Sequence, residues 1–508
     1  MSLFIGVSAF AQKVNSLRLL KNANAKLDAA DYVNALAIYK QLYSIDSTDK
    51  EYNYKIGVCL FEIKSMRTQA HSYFQKAIGY DAEDVYYYLG QTYHMKAQYD
   101  KALESYYRYQ NSSSGKEHSF YEVNNLIAKS LYAKYAEAHP LTDILIENAG
   151  GKINTSEPEY APLIPADESY LVFTSKRASN KGGNKSMLGD FYEDVFVSRR
   201  EGNEWAIPTN TLENINTEGN DACTGVSADG QKMIIYRSSD TLMSGEFYTS
   251  TFDGVSWRKS ELLDVAINSK DYVETSACYA PDGECIYFSS DMPGGFGGKD
   301  LYVIKKLLNG KWGKPFNLGK NINTPYDEDA PFIHPKENLL FFSSQGHLSN
   351  MGGYDVFKSY FEKDSSSFGK PENIGYPINT CGDDIFFVLN TNGNAGYFSS
   401  EREGGFGQSD IYKVSFISDA EKYVVIACKL ESQSGLGIQG GKIKLIDISS
   451  GKMVGAYTSN AYTGSFILIV EPGKKYEVLL QDLDNTISSE KYTYNKGDAT
   501  TKKFVLKK

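Results

Sequence analysis

The sequence predicts a multidomain chain: an N-terminal α-solenoid, then a five-bladed β-propeller and a C-terminal β-sandwich. Three observations support this fold class. A helical pattern returns every 32 to 35 residues within 12–140, and a strand-rich pattern returns every 53 to 62 residues within 141–416. Alternating strand patterns with Gly-rich turns occupy 417–508. The 508 residues leave room for about three or four such domains.

The propeller repeat is plainest in its third copy. It begins with a turn and a strand, Ala280 to Ser290, and continues through a glycine-rich turn, Gly294 to Gly298, into a strand that opens Asp300-Leu-Tyr. The turns recur at Asp167, Asp229, Asp282, Lys336 and Asn392. About four strands per repeat at this period predict the radially stacked blades of a propeller.

A closing motif, Ile-Asn-Thr or Ile-Asn-Ser, fixes the number of blades. Copies begin at Ile215, Ile267, Ile322 and Ile378, and none follows the fifth repeat. The missing copy, Ile153-Asn-Thr, precedes the first blade. We therefore expect an N-terminal strand near Ile144 to complete the fifth blade, which removes an open sheet edge. These repeats resemble the PD40 (WD40-like) repeats of TolB-type propellers, a resemblance that bears on architecture more than on ligand.

The helical repeats are marked by small and aromatic residues at fixed spacing. Their anchors are Ala35, Ala70 and Ala102, each followed by an aromatic residue four positions later. The small residues let helices approach closely. The segment resembles tetratricopeptide repeats, with at least three copies and a further helix at 121–138. Matching to that family places four side chains on the concave, partner-binding face: Tyr54, Tyr87, Gln91 and His94.

The last segment resembles the carboxypeptidase regulatory-like β-sandwich. The resemblance rests on Gly441-Lys-Ile-Lys-Leu, Thr463-Gly-Ser-Phe and Pro472-Gly-Lys-Lys-Tyr. In that family the domain is a non-catalytic spacer or interaction module.

Export is predicted from the first eleven residues. Leu3 to Val7 are apolar and Ala9-Phe-Ala11 fits a small-x-small cleavage site, so residues 1–11 are expected to be a signal peptide, without the usual basic start. No apolar run is long enough for a transmembrane helix. The net charge of −10 without a basic block argues against nucleic acid as a partner.

No catalytic, cofactor or metal site is predicted. The six histidines do not cluster, no G-x-S-x-G motif is present, and no cysteine pair has metal-ligand spacing. Cys278 and Cys285 flank one turn and could meet across a hairpin, although buried thiols are the simpler interpretation. The glycine-rich turns miss a calcium-binding register, and their repeated Asp is expected to hydrogen-bond locally. Four acids near the channel are candidates for binding a partner or cation, with solvated loop acids as the plainer expectation: Asp327, Asp329, Asp383 and Asp384.

The order of modules resembles the periplasmic part of PorE-like OmpA-family proteins of Bacteroidota. That resemblance implies a non-enzymatic scaffold at the inner face of the outer membrane, serving type IX secretion or a related machine. Its expected partner is an outer-membrane β-barrel of the PorP/SprF kind, with other envelope subunits. The family's peptidoglycan-binding OmpA-like domain has no counterpart before Lys508, so contact with peptidoglycan is not expected from these residues.

Two alternatives remain open from the sequence. One is a TolB-like soluble adaptor that receives a partner's peptide in the propeller channel. The other is a glycan-binding or hydrolytic propeller, in which Asp327 and Asp329 would be the acids to test.

Overall fold

A computed structural model describes residues 16–80, 84–112, 118–186, 189–238, 245–264, 266–269, 271–362, 364, 367–417, 422–482 and 487–506. The predicted signal peptide therefore lies outside the described residues. The chain forms two compact units, Met1–Ala138 and His139–Lys508. Among the described residues no helix is long and apolar enough to span a membrane.

The first unit is helical, and successive helices pack on one another. Asp31 and Asp49 cap two of the helices by accepting from the backbone N–H groups of Asn34 and Tyr52. The helices that contain Gly90 and Tyr106 approach each other closely. This approach requires glycine at position 90, because a Cβ atom there would lie 2.3 Å from the Tyr106 ring. The helices are α1 (16–28), α2 (Tyr32–Ile45), α3 (Lys50–Glu62), α4 (Ala70–Lys76), α5 (Asp84–His94), α6 (Tyr99–Asn111) and α7 (Phe120–Ala138).

The second unit begins with a five-bladed propeller built from antiparallel sheets. Blade 1 holds β2 (Glu159–Leu163), β3 (Tyr170–Ser175), β4 (Asp194–Glu201) and β5 (Glu204–Trp205). Blade 2 holds β6 (Asn220–Val226), β7 (Lys232–Ser238), β8 (Glu246–Thr251) and β9 (Glu261–Leu262). Blade 3 holds β10 (Glu274–Tyr279), β11 (Cys285–Ser290), β12 (Asp300–Lys305) and β13 (Phe316–Asn317). Blade 4 holds β14 (Glu328–Ile333), β15 (Leu339–Ser344), β16 (Asp355–Glu362), β17 (Ser367–Phe368) and β18 (Glu372–Asn373).

Blade 5 is completed from the N-terminal side, as the closing motif predicts. It holds β19 (Asp384–Leu389), β20 (Ala395–Ser400), β21 (Asp410–Phe416) and, outermost, β1 (Ile144–Asn148). β1 pairs antiparallel with β21, from Ile144 opposite Phe416 to Asn148 opposite Tyr412. The first strands of adjacent blades contact each other all the way round, so the ring is closed.

In each closing motif, the side-chain amide of the asparagine makes the two hydrogen bonds that the backbone of a paired strand residue would make. In blade 4, Asn379 Oδ1 accepts from the backbone N–H of Val356 at 2.8 Å, and Asn379 Nδ2 donates to the carbonyl of Val356 at 2.8 Å. The same pair of bonds joins Asn154 to Ile411, Asn216 to Val195, Asn268 to Phe247 and Asn323 to Leu301. The motif therefore satisfies a backbone donor and acceptor that a short outer strand leaves open.

The remaining residues form two sheets around a shared apolar core. One sheet has β22 (Val424–Glu431) between antiparallel β25 (Ser465–Val470) and parallel β28 (Thr501–Val505). The other has the order β24 (Met453–Thr458), β23 (Lys442–Asp447), β26 (Lys475–Gln481) and β27 (Ile487–Thr493). Ile426 and Leu468 of the first sheet lie in one core cluster with Leu445 and Val478 of the second. We call this part the two-sheet domain.

The cysteines are all free thiols. Cys278 lies opposite Tyr287 in the β10–β11 pair, and Cys285 lies opposite Lys305 in the β11–β12 pair. The two thiols are therefore not bonded across the hairpin.

Candidate functional site

The candidate site is the end of the propeller channel at which each innermost strand begins. Every blade places a buried carboxylate there, on the first or second residue of that strand: Glu159, Asp221, Glu274, Glu328 and Asp384. The carboxylates are at most 1% exposed. In blade 4, Glu328 accepts from the Thr324 backbone N–H at 2.7 Å, the Thr324 hydroxyl at 2.6 Å and the Ser344 hydroxyl at 2.7 Å. The threonine of the closing motif therefore orients the carboxylate that starts the next blade.

An arginine neutralises this carboxylate in three of the five blades. Arg402 Nη2 lies 3.1 Å from Asp384 Oδ1 and 2.7 Å from the carbonyl of Ile378. Arg177 bonds to the same two groups in blade 1, and Arg237 does so in blade 2 from within strand β7, at the position that Ser175 holds in blade 1. Each arginine therefore joins a buried acid to the closing motif.

Blades 3 and 4 lack that arginine. Met292 and Gly346 stand where Arg177 and Arg402 stand in the other blades. Burial raises the pKa of Glu274 to about 7, against hydrogen bonds that lower it, and burial likewise raises the pKa of Glu328 to about 7. In blade 4, His347 Nε2 lies 3.0 Å from the carbonyl of Ile322, the acceptor that arginine reaches elsewhere. One side of the ring thus carries carboxyls that titrate near neutral pH.

Asp329 and Lys299 form a buried ion pair between blades 3 and 4. Their side chains are 7% and 19% exposed, and Lys299 Nζ donates to Asp329 Oδ2. Asp329 also accepts from the hydroxyls of Thr275, at 2.8 Å, and Ser276. Burial opposes ionisation of Asp329, but the charge of Lys299 and these bonds hold the pKa of Asp329 below its usual range. The pair is therefore charged at neutral pH and fully hydrogen-bonded.

Asp327 and Asp383 hold one blade to the next. Asp327 Oδ1 accepts from the backbone N–H of Lys299 at 2.9 Å, and Asp383 Oδ1 accepts from the backbone N–H of Tyr354 at 3.0 Å. Both donors belong to the glycine-rich turn of the preceding blade. A Cβ atom at Gly298 would lie 2.0 Å from Asp327 Oδ1, which explains the glycine in that turn.

The expectation of solvated loop acids is therefore wrong for Asp329 and Asp384, whereas Asp327 and Asp383 do lie in loops and keep part of their surface exposed. Asp329 and Asp384 are buried and ion-paired, whereas Asp327 and Asp383 are half-buried and engaged by backbone donors. Within the described part of the chain no group of three or more potential ligands could hold a metal ion. The strand-opening Asp hydrogen-bonds its own turn, as expected: Asp410 accepts from the N–H groups of Phe406, at 2.6 Å, and Gly407, at 2.9 Å.

The candidates in the helical unit lie between helices. Tyr54, Tyr87 and His94 are each 7% exposed, so their predicted exposure on a concave face is wrong. Tyr87 donates to Glu122 Oε1 at 2.6 Å, and His94 Nδ1 lies 2.8 Å from the Ser130 hydroxyl, both on α7. Gln91 is half-buried on α5. Tyr87 and His94 therefore fill the contact between α5 and α7, and Tyr54 packs against the Phe74 and Tyr88 rings of α4 and α5.

The two-sheet domain covers the other end of the channel. Lys336 Nζ donates to the carbonyls of Val454, at 2.9 Å, and Ile469, at 3.1 Å, and burial lowers the pKa of Lys336 to about 8. Contacts come from the first turn or outer edge of every blade: Ala166 with Ile467, Phe252 with Asn460, Glu284 with Lys442, Glu337 with Lys422, and Asn392 with Tyr423. These contacts of the described residues all lie opposite the carboxylate end of the channel.

Sequence reasoning missed the buried carboxylates other than Asp384, and the arginines. A signal for them exists, because each acid follows the threonine or serine of the closing motif by four or five residues. Lys299 was missed because it lies in a glycine-rich turn whose partner, Asp329, is thirty residues away.

No family model and no curated protein matches the sequence. Solved structures align over parts of the chain. A structure described as a glycoside hydrolase has a TM-score of 0.40 at 8% identity, over 57% of this chain and 95% of that one. The β-propeller domain of the Trilobed protease from Pyrococcus furiosus has a TM-score of 0.25 at 10% identity, over 67% and 94%. The Sgt2 TPR domain from Aspergillus fumigatus has a TM-score of 0.21 at 20% identity, over 27% and 91%. No function follows from similarities of this size.

Proposed function

We propose that the protein is a non-catalytic scaffold that holds other proteins together at the inner face of an outer membrane. Its helical unit is proposed to be a tetratricopeptide-type solenoid, and its two-sheet domain a carboxypeptidase regulatory-like β-sandwich. The resemblance to PorE-like proteins supports an outer-membrane β-barrel of the PorP/SprF kind as the partner, in type IX secretion or a related machine.

The observation that carries this proposal is how the acidic side chains at the channel are bonded within the protein. Apart from Glu274, the acids of the candidate site are each bonded to arginine, lysine, hydroxyl or backbone donors of the protein itself. A general acid or nucleophile needs a group that can reach a substrate. Ion pairs between adjacent blades make the ring rigid instead. A rigid ring that is packed against a second domain at one end is suited to a scaffold.

The test is to recover the protein with its partners. We would place an affinity tag after Lys508 in the native host, solubilise the envelope in mild detergent and identify co-purifying proteins by mass spectrometry. Stoichiometric recovery of an outer-membrane β-barrel is the expected result. Recovery of the protein alone from a soluble fraction would overturn the proposal.

A second candidate is a soluble adaptor that receives a partner's peptide in the open end of the channel. The Lys299–Asp329 pair favours it, because a peptide charge could exchange with either partner of the pair. Binding through such charges should weaken with salt. Cross-linking from the carboxylate end that yields a peptide of one envelope protein, lost in Lys299→Met, would favour the adaptor.

A further inference from the structure

A second concave site lies away from the channel, between the edges of blades 1 and 2 and the two-sheet domain. The cleft has a volume of about 290 Å³, close to the lower end of ligand-pocket volumes, about 300 Å³. Clefts between domains are favoured positions for small-molecule sites. Its walls are Tyr170, Arg199, Gln231, Phe252, Trp257 and Ser465.

Three aromatic rings line the cleft. The Phe252 and Trp257 rings are 5.6 Å apart and tilted by 60°, and both are only half-buried. The Tyr170 hydroxyl donates to the carbonyl of Gly230 at 2.6 Å, which holds its ring in place. Part of each ring therefore remains accessible to a ligand with an apolar face.

Trp257 differs from Trp205, the tryptophan at the corresponding edge of blade 1. Trp205 packs against Tyr397, at 5.9 Å between ring centroids, and beneath the guanidinium of Arg200. Trp257 lies instead where the two-sheet domain approaches blade 2, at Gly254, where a Cβ atom would be 2.8 Å from Thr463 Cγ2. That approach supplies the second wall, so the cleft exists at this blade edge because of the two-sheet domain.

Polar side chains converge on the same cleft. The guanidinium of Arg199 and the amide of Gln231 make no side-chain hydrogen bond or ion pair to the described residues, unlike Arg177, Arg237 and Arg402. The Ser465 hydroxyl adds a group that can both donate and accept. The acid of the cleft, Asp229, is already engaged by the Ser227 hydroxyl and the Gln231 backbone N–H.

We propose that this cleft binds one sugar unit of a neutral glycan. A pyranose ring has an apolar C–H face that fits against an aromatic ring, whose face carries partial negative charge. Its hydroxyls both donate and accept, which matches an amide, a guanidinium and a hydroxyl arranged around aromatic rings. Arg199 is the only cationic side chain among the described lining residues. Apart from the engaged Asp229, the cleft therefore offers one positive charge and neutral polar groups, which favours a neutral ligand over an anionic one. The site is separate from the channel and does not depend on the proposed scaffold role.

The experiment is saturation-transfer NMR on the full chain with three neutral probes: cellotetraose, maltotetraose and tetra-N-acetylchitotetraose. We expect at least one probe to bind with a Kd of about 1 mM or lower. Signal should transfer most strongly to ring C–H protons. Absence of transfer to all three probes would overturn the proposal.

Variants locate the binding. Trp257→Ala and the double variant Arg199→Ala/Gln231→Ala should each weaken binding at least tenfold, and Lys259→Ala, at an exposed position outside the cleft, should not. The double variant changes side chains without partners in the described structure, so it keeps the test valid if Trp257→Ala does not fold. Binding that survives the double variant would contradict the assignment to this cleft.

Discussion

Arg402 in blade 5 and Met292 in blade 3 occupy the same position, two residues after the second serine of Phe-Ser-Ser, and only Arg402 has a carboxylate as its partner. Arg402 Nη2 lies 3.1 Å from Asp384, which is fully buried, whereas in blade 3 the buried Oε2 of Glu274 has no hydrogen-bond partner among the described residues. The chain therefore contains one blade whose buried carboxylate is neutralised by arginine and another whose buried carboxylate is not.

Replacing Arg402 with Met should destabilise the propeller by about 3 kcal/mol, because removing one partner of a buried ion pair leaves an uncompensated charge. The loss should be larger at pH 8 than at pH 5, since protonation of Asp384 at low pH removes the unpaired charge. Chemical denaturation at the two pH values measures it. The converse variant, Met292→Arg, should lower the pKa of Glu274 and raise stability at pH 8. Equal effects of Arg402→Met at both pH values would contradict this explanation.

Glu328→Gln should flatten the dependence of stability on pH. The folded-state pKa of Glu328 is about 7, above its usual value of 4.5. A raised pKa means that its contribution is fully present below about pH 4.5 and is lost as pH rises through 7, by up to about 1.4 kcal/mol per pH unit. The variant resembles the protonated acid and should lose less stability over this range. Unfolding midpoints from pH 4.5 to 8 for both proteins provide the measurement, and parallel curves would rule out Glu328 as the titrating group.

Lys299→Met should cost about 3 kcal/mol of stability and raise the pKa of Asp329, because the buried carboxylate loses its cation. The double variant Lys299→Met/Asp329→Asn should recover part of that loss, since no buried charge is then left alone. Thermal unfolding of wild type, both single variants and the double variant gives the coupling energy. A coupling below about 0.5 kcal/mol would mean that the pair does not stabilise the junction of blades 3 and 4.

Gly90→Ala should destabilise the helical unit by about 1–3 kcal/mol through overpacking. The added methyl group would lie 2.3 Å from Cε1 of Tyr106, a fully buried ring that cannot move away freely. Glu104→Ala, at an exposed position on α6, is the matched control and should change stability by less than about 0.5 kcal/mol. Helical circular dichroism during denaturation follows this unit separately. An equal effect of the two variants would show that the helices have room at position 90.

The repeat pattern made the propeller predictable, because the periods, the turns and the displaced copy of the closing motif are all local in sequence. The ring closure between β1 and β21 follows from that displaced copy alone. The side chains of the site could not be placed in the same way. Two pairs come together only when separate repeats pack on each other: Lys299 with Asp329, and Tyr87 with Glu122. The pattern within one repeat carries no information about such contacts. Family matching put Tyr54, Tyr87 and His94 on a face that neighbouring helices cover.

The strand that closes the ring also determines how the propeller would respond to tension. The chain enters at Asp143 and leaves at Ile417, and the backbone N–H of Ile417 donates to the carbonyl of Asp143 at 2.9 Å. Because β1 and β21 run antiparallel from this point, a pull on the helical segment against Ile417 would load their hydrogen bonds one after another, not all at once. Under mechanical load the ring would therefore unzip from this seam at low force, while the other four blades remained folded.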